Sequence, residues 1–267
     1  MAFDALNLSI IADELKQMLV GGKITKVYQP EKDEVVLFVF NGKTYKLLIS
    51  ANAAVNRIHV TEMPTENPKT APSFCMLLRK HVIGAEILSV SQMPFERVLD
   101  FALTATDDLG YKNDMHLIFE LTGKTSNIIL TDGNYKIADS IKHLPQDMDS
   151  SRIILAGATY RFFEPQNKIA PNDLPRIGIF LADCKLPLRK ALCGNLLGLS
   201  QATVNELTFG IDENDHSVLN NQLVLERIAK LPQLIAHKKP NVVLGANGSP
   251  TDVCPWDFEG KKGEKLY

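Results

Sequence analysis

Val35-Val36-Leu37-Phe38-Val39-Phe40-Asn41-Gly42-Lys43-Thr44-Tyr45-Lys46-Leu47-Leu48-Ile49-Ser50 places two strand-length runs on either side of an Asn-Gly pair. The runs are rich in β-branched and aromatic residues, and both residues of the pair tolerate positive φ, so the stretch predicts a two-residue β-hairpin. Lys23 to Gln29 adds a third strand-like run upstream, which extends the hairpin to a β-meander. Before it, Leu8, Ile11, Ala12, Leu15, Met18 and Leu19 recur at three- and four-residue spacing, predicting an amphipathic helix that Gly21-Gly22 ends. After it, residues 61 to 72 are rich in Thr, Pro and Asn and read as a surface loop. A second helix follows, with Pro72 near its first turn and Gly84 past its end, and Phe74, Leu77, Leu78 and His81 on one face.

Further strand-like segments run from Glu86 to Val90, Val98 to Leu103, Met115 to Leu121, Ser126 to Leu130 and Tyr135 to Ala138. From Pro171 the period changes to that of helices, near Leu174 to Ala182, Leu188 to Leu197, Ser200 to Phe209 and Ser217 to His237. Gly198-Leu199-Ser200 supplies a break and then an N-cap, so two helices meet across a tight turn. Asn247-Gly248 marks one more hairpin. The expected organisation is a β-rich lobe over 1–170, a helical lobe over 171–240 and an unfinished segment over 241–267, in the α+β class.

With 267 residues and 45% hydrophobic content the chain has material for one large or two modest domains. Its 29 Lys and Arg against 31 Asp and Glu leave a net charge of -2, so any contact with a polyanion must come from local patches. Asp4 stands where a secretory signal would need a basic start, and no 18-residue apolar run occurs, which predicts a cytoplasmic location with no membrane partner. Cys75, Cys184, Cys193 and Cys254 are too scattered for a disulfide scaffold and form no Cys-x-x-Cys pair, so reduced thiols are expected and no metal site. The Gly-x-Ser-x-Gly and His-Glu-x-x-His signatures are absent, and Gly22-Lys23 is followed by Ile24 rather than Ser or Thr.

Three small clusters are candidates for nucleic-acid contact, each with a purely structural alternative. Glu96-Arg97 follows Met93-Pro94-Phe95 and enters an apolar strand. An arginine there can fork onto phosphate or a base edge while the carboxylate holds the guanidinium or accepts from a ribose hydroxyl. The alternative is an exposed ion pair at a strand start. In Gly123-Lys124-Thr125-Ser126-Asn127 the glycine allows close backbone approach, and Lys124, Ser126 and Asn127 offer donors to phosphate or ribose; otherwise the run simply closes a turn. Arg79-Lys80-His81 puts three donors within one helical turn, though Arg79 and Lys80 also read as ordinary solvated helix residues. Residues 150 to 190 hold seven Lys or Arg (152, 161, 168, 176, 185, 189, 190) against three acids (164, 173, 183), a local excess able to steer an RNA backbone. Residues 205 to 227 are acidic and should face away from RNA.

Pro72 to His81 and Gly123 to Leu130 resemble signatures of the NFACT family. The resemblance continues through Gly21 to Pro30, Lys46 to Ala51, Ser140 to Leu144, Leu155 to Tyr160 and Leu196 to Ser200. It implies a fold like that of the formamidopyrimidine-DNA glycosylases, a β-sandwich lobe followed by a helix-two-turn-helix lobe. Full-length members continue into a coiled coil and a small C-terminal domain, so the chain reads as an N-terminal region. Glycosylase catalysis is not expected, because Ala2 and Phe3 stand where those enzymes have a nucleophilic proline and a glutamate.

The resemblance implies a non-enzymatic factor of ribosome-associated quality control, without cofactors. Its implied partners are tRNA, alanyl-tRNA in bacteria, and a large ribosomal subunit obstructed by peptidyl-tRNA, whose nascent chain is extended without mRNA. It further implies that Glu96-Arg97, where the family typically has Asp-Arg, engages the tRNA; Glu keeps the charge and lengthens the arm by one methylene. With Gly123, Lys124, Ser126, Asn127, Arg79 and Lys80 this makes the expected tRNA-binding set. An alternative is a fibronectin-binding surface adhesin, as a common name in the family implies. A third is a glycosylase-like fold that binds DNA through its helical lobe.

Overall fold

Helix α1 (Ala5–Leu19) opens the chain, and its first turn is capped by Asp4, whose Oδ1 accepts from the Asn7 N–H at 3.0 Å. The computed structural model describes residues 4–106, 110–144, 152–163, 166–215, 217–237, 239–261 and 264–266. They divide into two compact units, Ile11–Phe163 and a second made of Met1–Ile10 with Glu164–Tyr267.

The first unit is built on one antiparallel sheet. Its strands are β1 (Lys23–Glu31), β2 (Glu34–Asn41), β3 (Lys43–Ser50), β4 (Arg57–Val60), β5 (Glu86–Gln92), β6 (Val98–Thr106), β7 (Lys112–Glu120), β8 (Asn127–Asp132) and β9 (Ile137–Ser140). They lie in the order β4-β3-β2-β1-β5-β6-β7-β8-β9. At β1–β5 the strands share the single pair Lys23 and Glu86, flanked by four backbone hydrogen bonds between residues 21–24 and 84–87, and beyond this short seam the two strands diverge. Helix α2 (Ser73–Val82) packs on β1. Leu37, Val39, Leu47, Ile49, Phe101, Leu117 and Phe119 are fully buried, each apolar side chain contributing about 1.5–3 kcal/mol by leaving water.

The second unit holds α3 (Leu174–Asp183), α4 (Leu188–Asn195), α5 (Gln201–Leu207), α6 (Val218–Ala229) and α7 (Leu231–His237). A small sheet of β10 (Asn241–Leu244), β11 (Pro250–Cys254) and β12 (Glu264–Leu266) follows, in the order β11-β10-β12. Ile177, Leu181, Leu192, Val204, Val224, Trp256 and Phe258 form its core together with Leu6. Ser200 caps α5 as its sequence predicts, accepting from the Thr203 N–H at 3.2 Å. Asp4 Oδ2 in turn accepts from the Ser200 N–H at 3.1 Å, tying the chain start to that cap.

The α+β class read from the sequence is the one the chain adopts, with three local corrections. The hairpin at Asn41-Gly42 is tighter than two residues: Asn41 pairs with Lys43 and only Gly42 takes positive φ, at 71°. The Asn41 amide instead donates to the carbonyls of Met18 and Val20, closing the end of α1. The helix expected over Ser217 to His237 is two, because Pro232 cannot donate to the preceding turn and the chain restarts at Leu231. His81 does not share the buried face of α2; that face is Phe74, Cys75, Leu78 and Val82, and His81 is exposed. Strand β4 is four residues long, too short to read from periodicity.

Gly22 sits where α1 meets β2, and a Cβ there would come within 2.9 Å of both the Leu19 carbonyl oxygen and Val39 Cγ1. Gly22→Ala is therefore expected to lower the stability of the fold by about 1–3 kcal/mol through overpacking, read as a shift in the urea midpoint with an unchanged slope.

Candidate nucleic-acid interface

Antiparallel neighbours alternate the ends at which their connections emerge, so the β5–β6 and β7–β8 links leave the same end of the sheet. Val98 stands opposite Glu120, and Glu120 opposite Asn127, so residues 93–97 and 121–126 flank three successive strand ends. The two loops are joined directly: the Leu121 N–H donates to the Arg97 carbonyl at 2.8 Å. Within the first loop Met93 N–H donates to the Val98 carbonyl and Glu96 N–H to the Met93 carbonyl, each at 3.0 Å. Gln92 Nε2 adds a bond of 2.9 Å to the Glu96 carbonyl. These bonds hold Phe95 at φ 56°, a left-handed conformation that costs a non-glycine residue on the order of 1 kcal/mol and persists only where its surroundings fix it.

Glu96 and Arg97 are half-buried at this corner. In the second loop, a short 3₁₀ turn over Gly123–Thr125 starts at φ 76°, which glycine supplies without strain, and it carries Lys124 exposed. Glu96, Arg97, Gly123 and Lys124 are thus gathered at one sheet end. Ser126 and Asn127 lie beneath them. Ser126 is buried, and its Oγ meets no hydrogen-bond partner among the described residues. Asn127 is spent internally: Oδ1 accepts from the Lys142 N–H at 3.0 Å while Nδ2 donates to the Lys142 carbonyl at 2.8 Å.

Arg79 and Lys80 belong to α2. Arg79 Nε donates to the Val27 carbonyl at 2.9 Å and its guanidinium lies 5.5 Å from the centre of the Tyr28 ring. It thereby satisfies a carbonyl on β1 where β5 has diverged, and Lys80 is exposed beside it.

Sequence reading missed the group that supports the sheet end. Glu120, the last residue of β7, is fully buried. One carboxylate oxygen accepts from Tyr160 OH at 2.8 Å and from Arg152 Nη2, while the other has no partner among the described residues. Arg152 also donates through Nε to the Arg161 carbonyl and stacks 4.0 Å from the centre of Phe163. Burial, and then the neighbouring Glu120 carboxylate, push the Tyr160 phenol far above its ordinary range, so it remains a donor at any physiological pH. On the same face Tyr135 OH donates to Asp100 at 2.9 Å, with its pKa pushed up to about 12 by burial and then by Asp100. His116 Nδ1 meets the same carboxylate at 2.9 Å, and its ring stacks on Tyr135 at 4.2 Å. The strap 152–163 is thereby locked against the sheet. The available signal was a glutamate closing an apolar strand, together with a tyrosine ending Leu155 to Tyr160.

Fold and site together define a mixed α+β protein with a large antiparallel sheet and a pair of coupled loops at one sheet end. The chain belongs to the NFACT family, since residues 4–259 match the family model described as NFACT N-terminal and middle domains. It is 39% identical over 175 residues to the protein named Rqc2 homolog RqcH from Bacillus subtilis (strain 168), which covers 65% of this chain and 31% of that protein. Over 147 residues it is 28% identical to human "Ribosome quality control complex subunit NEMF", covering 55% of this chain and 13% of the other. A solved structure, the N-terminal part of the fibronectin/fibrinogen-binding protein from Streptococcus suis, superposes with a TM-score of 0.82 at 29% identity, covering 97% of this chain and 92% of that one. The chain spans about a third or less of the length of these two curated relatives. Among the described residues no helix is long and apolar enough to cross a membrane.

Tyr160→Phe removes one donor from a buried carboxylate while keeping the ring. The expected result is a loss of about 1–3 kcal/mol in urea unfolding, with no change in the denaturant slope.

Proposed function

We propose that this chain is the tRNA-engaging N-terminal part of a ribosome-associated quality-control factor. In this reading it acts without catalysis in the cytoplasm, presenting an aminoacyl-tRNA, alanyl-tRNA in bacteria, to an obstructed large ribosomal subunit. The nascent chain is then extended without mRNA. The observation that supports it most is the direct hydrogen bond between the loops carrying Arg97 and Lys124, which makes one cationic feature from two separate runs of sequence. Family membership and the names of the relatives from Bacillus subtilis and human point the same way. Arg97 serves as a forked donor to phosphate or a base edge, with Glu96 beside it, while Lys124 contacts the backbone as a point charge. Asn127 ties the base of the second loop to Lys142, Ser126 is buried next to it, and Arg79 is engaged by a carbonyl of β1.

A second reading is favoured by one finding, the likeness to the Streptococcus suis protein that is named for binding fibronectin and fibrinogen. In that reading a sheet face or edge docks an extracellular matrix protein.

Filter binding of tRNA over a salt series separates the two. Arg97→Ala is expected to weaken tRNA binding about 10-fold and to reduce the slope of log affinity against log salt by about one, with thermal unfolding unchanged. Unchanged affinity and slope would remove Arg97 from the site. Retention on immobilised fibronectin in the absence of any tRNA binding would favour the second reading.

A further inference from the structure

The outer face of β1, β2 and β3 carries a second, unassigned arrangement of rings and cations. Val35, Leu37 and Val39 of β2 lie on one side of the pleat and are fully buried; Val36, Phe38 and Phe40 lie on the other, where Val36 is also fully buried, Phe38 is half-buried and Phe40 is exposed, so this face opens to solvent only toward the Phe40 end. Strand register builds two cross-strand rows there, Lys23–Phe40–Thr44 and Lys26–Phe38–Lys46. Phe40 is 52% exposed, unusual for a phenylalanine, and Lys26 Nζ stands 5.9 Å from the centre of the Phe38 ring. Tyr28 meets Phe38 edge-on at 5.8 Å and is itself covered by the Arg79 guanidinium. A bulge at Thr25 bends β1 at this point, and Thr25 Oγ1 donates to the Phe38 carbonyl at 3.1 Å.

No acidic residue stands in either row. Glu86, opposite Lys23 across the β1–β5 seam, marks one margin; Glu31 and Glu34 lie at the far end of β1 and β2, where Glu34 is paired with Arg57. Lys46 is oriented by a bond to the Met63 carbonyl, and Lys23 and Lys26 are exposed. Rings interleaved with lysines at the open end of this sheet face match the needs of unpaired nucleotides, whose bases stack on aromatic faces while cations follow the phosphates. A duplex offers no free base faces to such a surface. A protein partner is disfavoured, because lysine is depleted from the cores of protein–protein interfaces and here three lysines surround the rings.

We propose that this face binds single-stranded RNA, with bases stacked on Phe40 and Phe38 and phosphates held by Lys23, Lys26 and Lys46. This is a contact surface separate from the sheet end at Arg97, and it does not rest on the tRNA reading.

The test is fluorescence anisotropy of the intact chain with a labelled oligouridine of about a dozen nucleotides and with an RNA duplex of equal length. The single strand binds more tightly than the duplex. Phe40→Ala, at an exposed position that leaves the core intact, weakens the single strand about 10-fold without altering the salt slope. Lys26→Gln lowers the slope by about 0.7. In an Arg97→Ala background Phe40→Ala still weakens oligouridine about 10-fold, which distinguishes failure of this site from failure of the tRNA site. The proposal is overturned by equal affinity for duplex and single strand, or by Phe40→Ala binding RNA as the parent does. It is equally overturned if anionic vesicles or fibronectin, and not RNA, prove sensitive to Phe40→Ala.

Discussion

A carboxylate taken out of water must be met by donors, and at Glu120 they come from a strap of chain 32 and 40 residues further on. Arg152 and Tyr160 supply them, so the strap over 152–163 is held where it closes over β6, β7 and β8. Val98, Ile118, Ile129 and Ile137 are buried beneath it, and the Asp100–His116–Tyr135 group fixes its neighbouring turn. The loops at 93–97 and 121–126 grow directly from the strands pinned in this way. Removing one partner of such a group leaves a buried charge uncompensated, which costs far more than the net contribution of the pair, so the arrangement is intolerant of single changes. That intolerance is what makes a rigid base for two exposed or half-exposed cations.

Rigidity would matter to the proposed contact because Arg97 and Lys124 are long side chains whose ordering opposes binding. A backbone bond between their loops fixes the separation of the two stems, leaving only side-chain freedom to be lost on contact. Phe95 in its left-handed conformation adds to this, since a strained residue survives only on a frame that over-determines it. The same logic recurs on β1, where Arg79 gives up its own freedom to satisfy a strand carbonyl and thereby holds Tyr28 in place.

Strands from 23 to 50 were legible because alternation and an Asn-Gly pair are local signals, and so was the Ser200 cap after Gly198. Arg79 was not: on a helix surface a guanidinium reads as solvated, and only the divergence of β5 from β1 creates the carbonyl that recruits it. Asn127 read as a free donor because its partner, Lys142, lies 15 residues away in a turn that sequence does not place. Glu120 was illegible for the same reason over a longer distance. The break between α6 and α7 was marked by Pro232 but hidden by continuous apolar spacing on both sides. Local chemistry was readable, and what required tertiary proximity was not.

The central claim is that the coupled loops form one nucleic-acid contact on a pinned sheet end. Ultraviolet cross-linking of tRNA to the chain, followed by mapping of the modified peptides, tests it most directly. The account predicts cross-links within 93–97 and 121–125; cross-links confined to the helices between 174 and 237, with none at the sheet end, would contradict it.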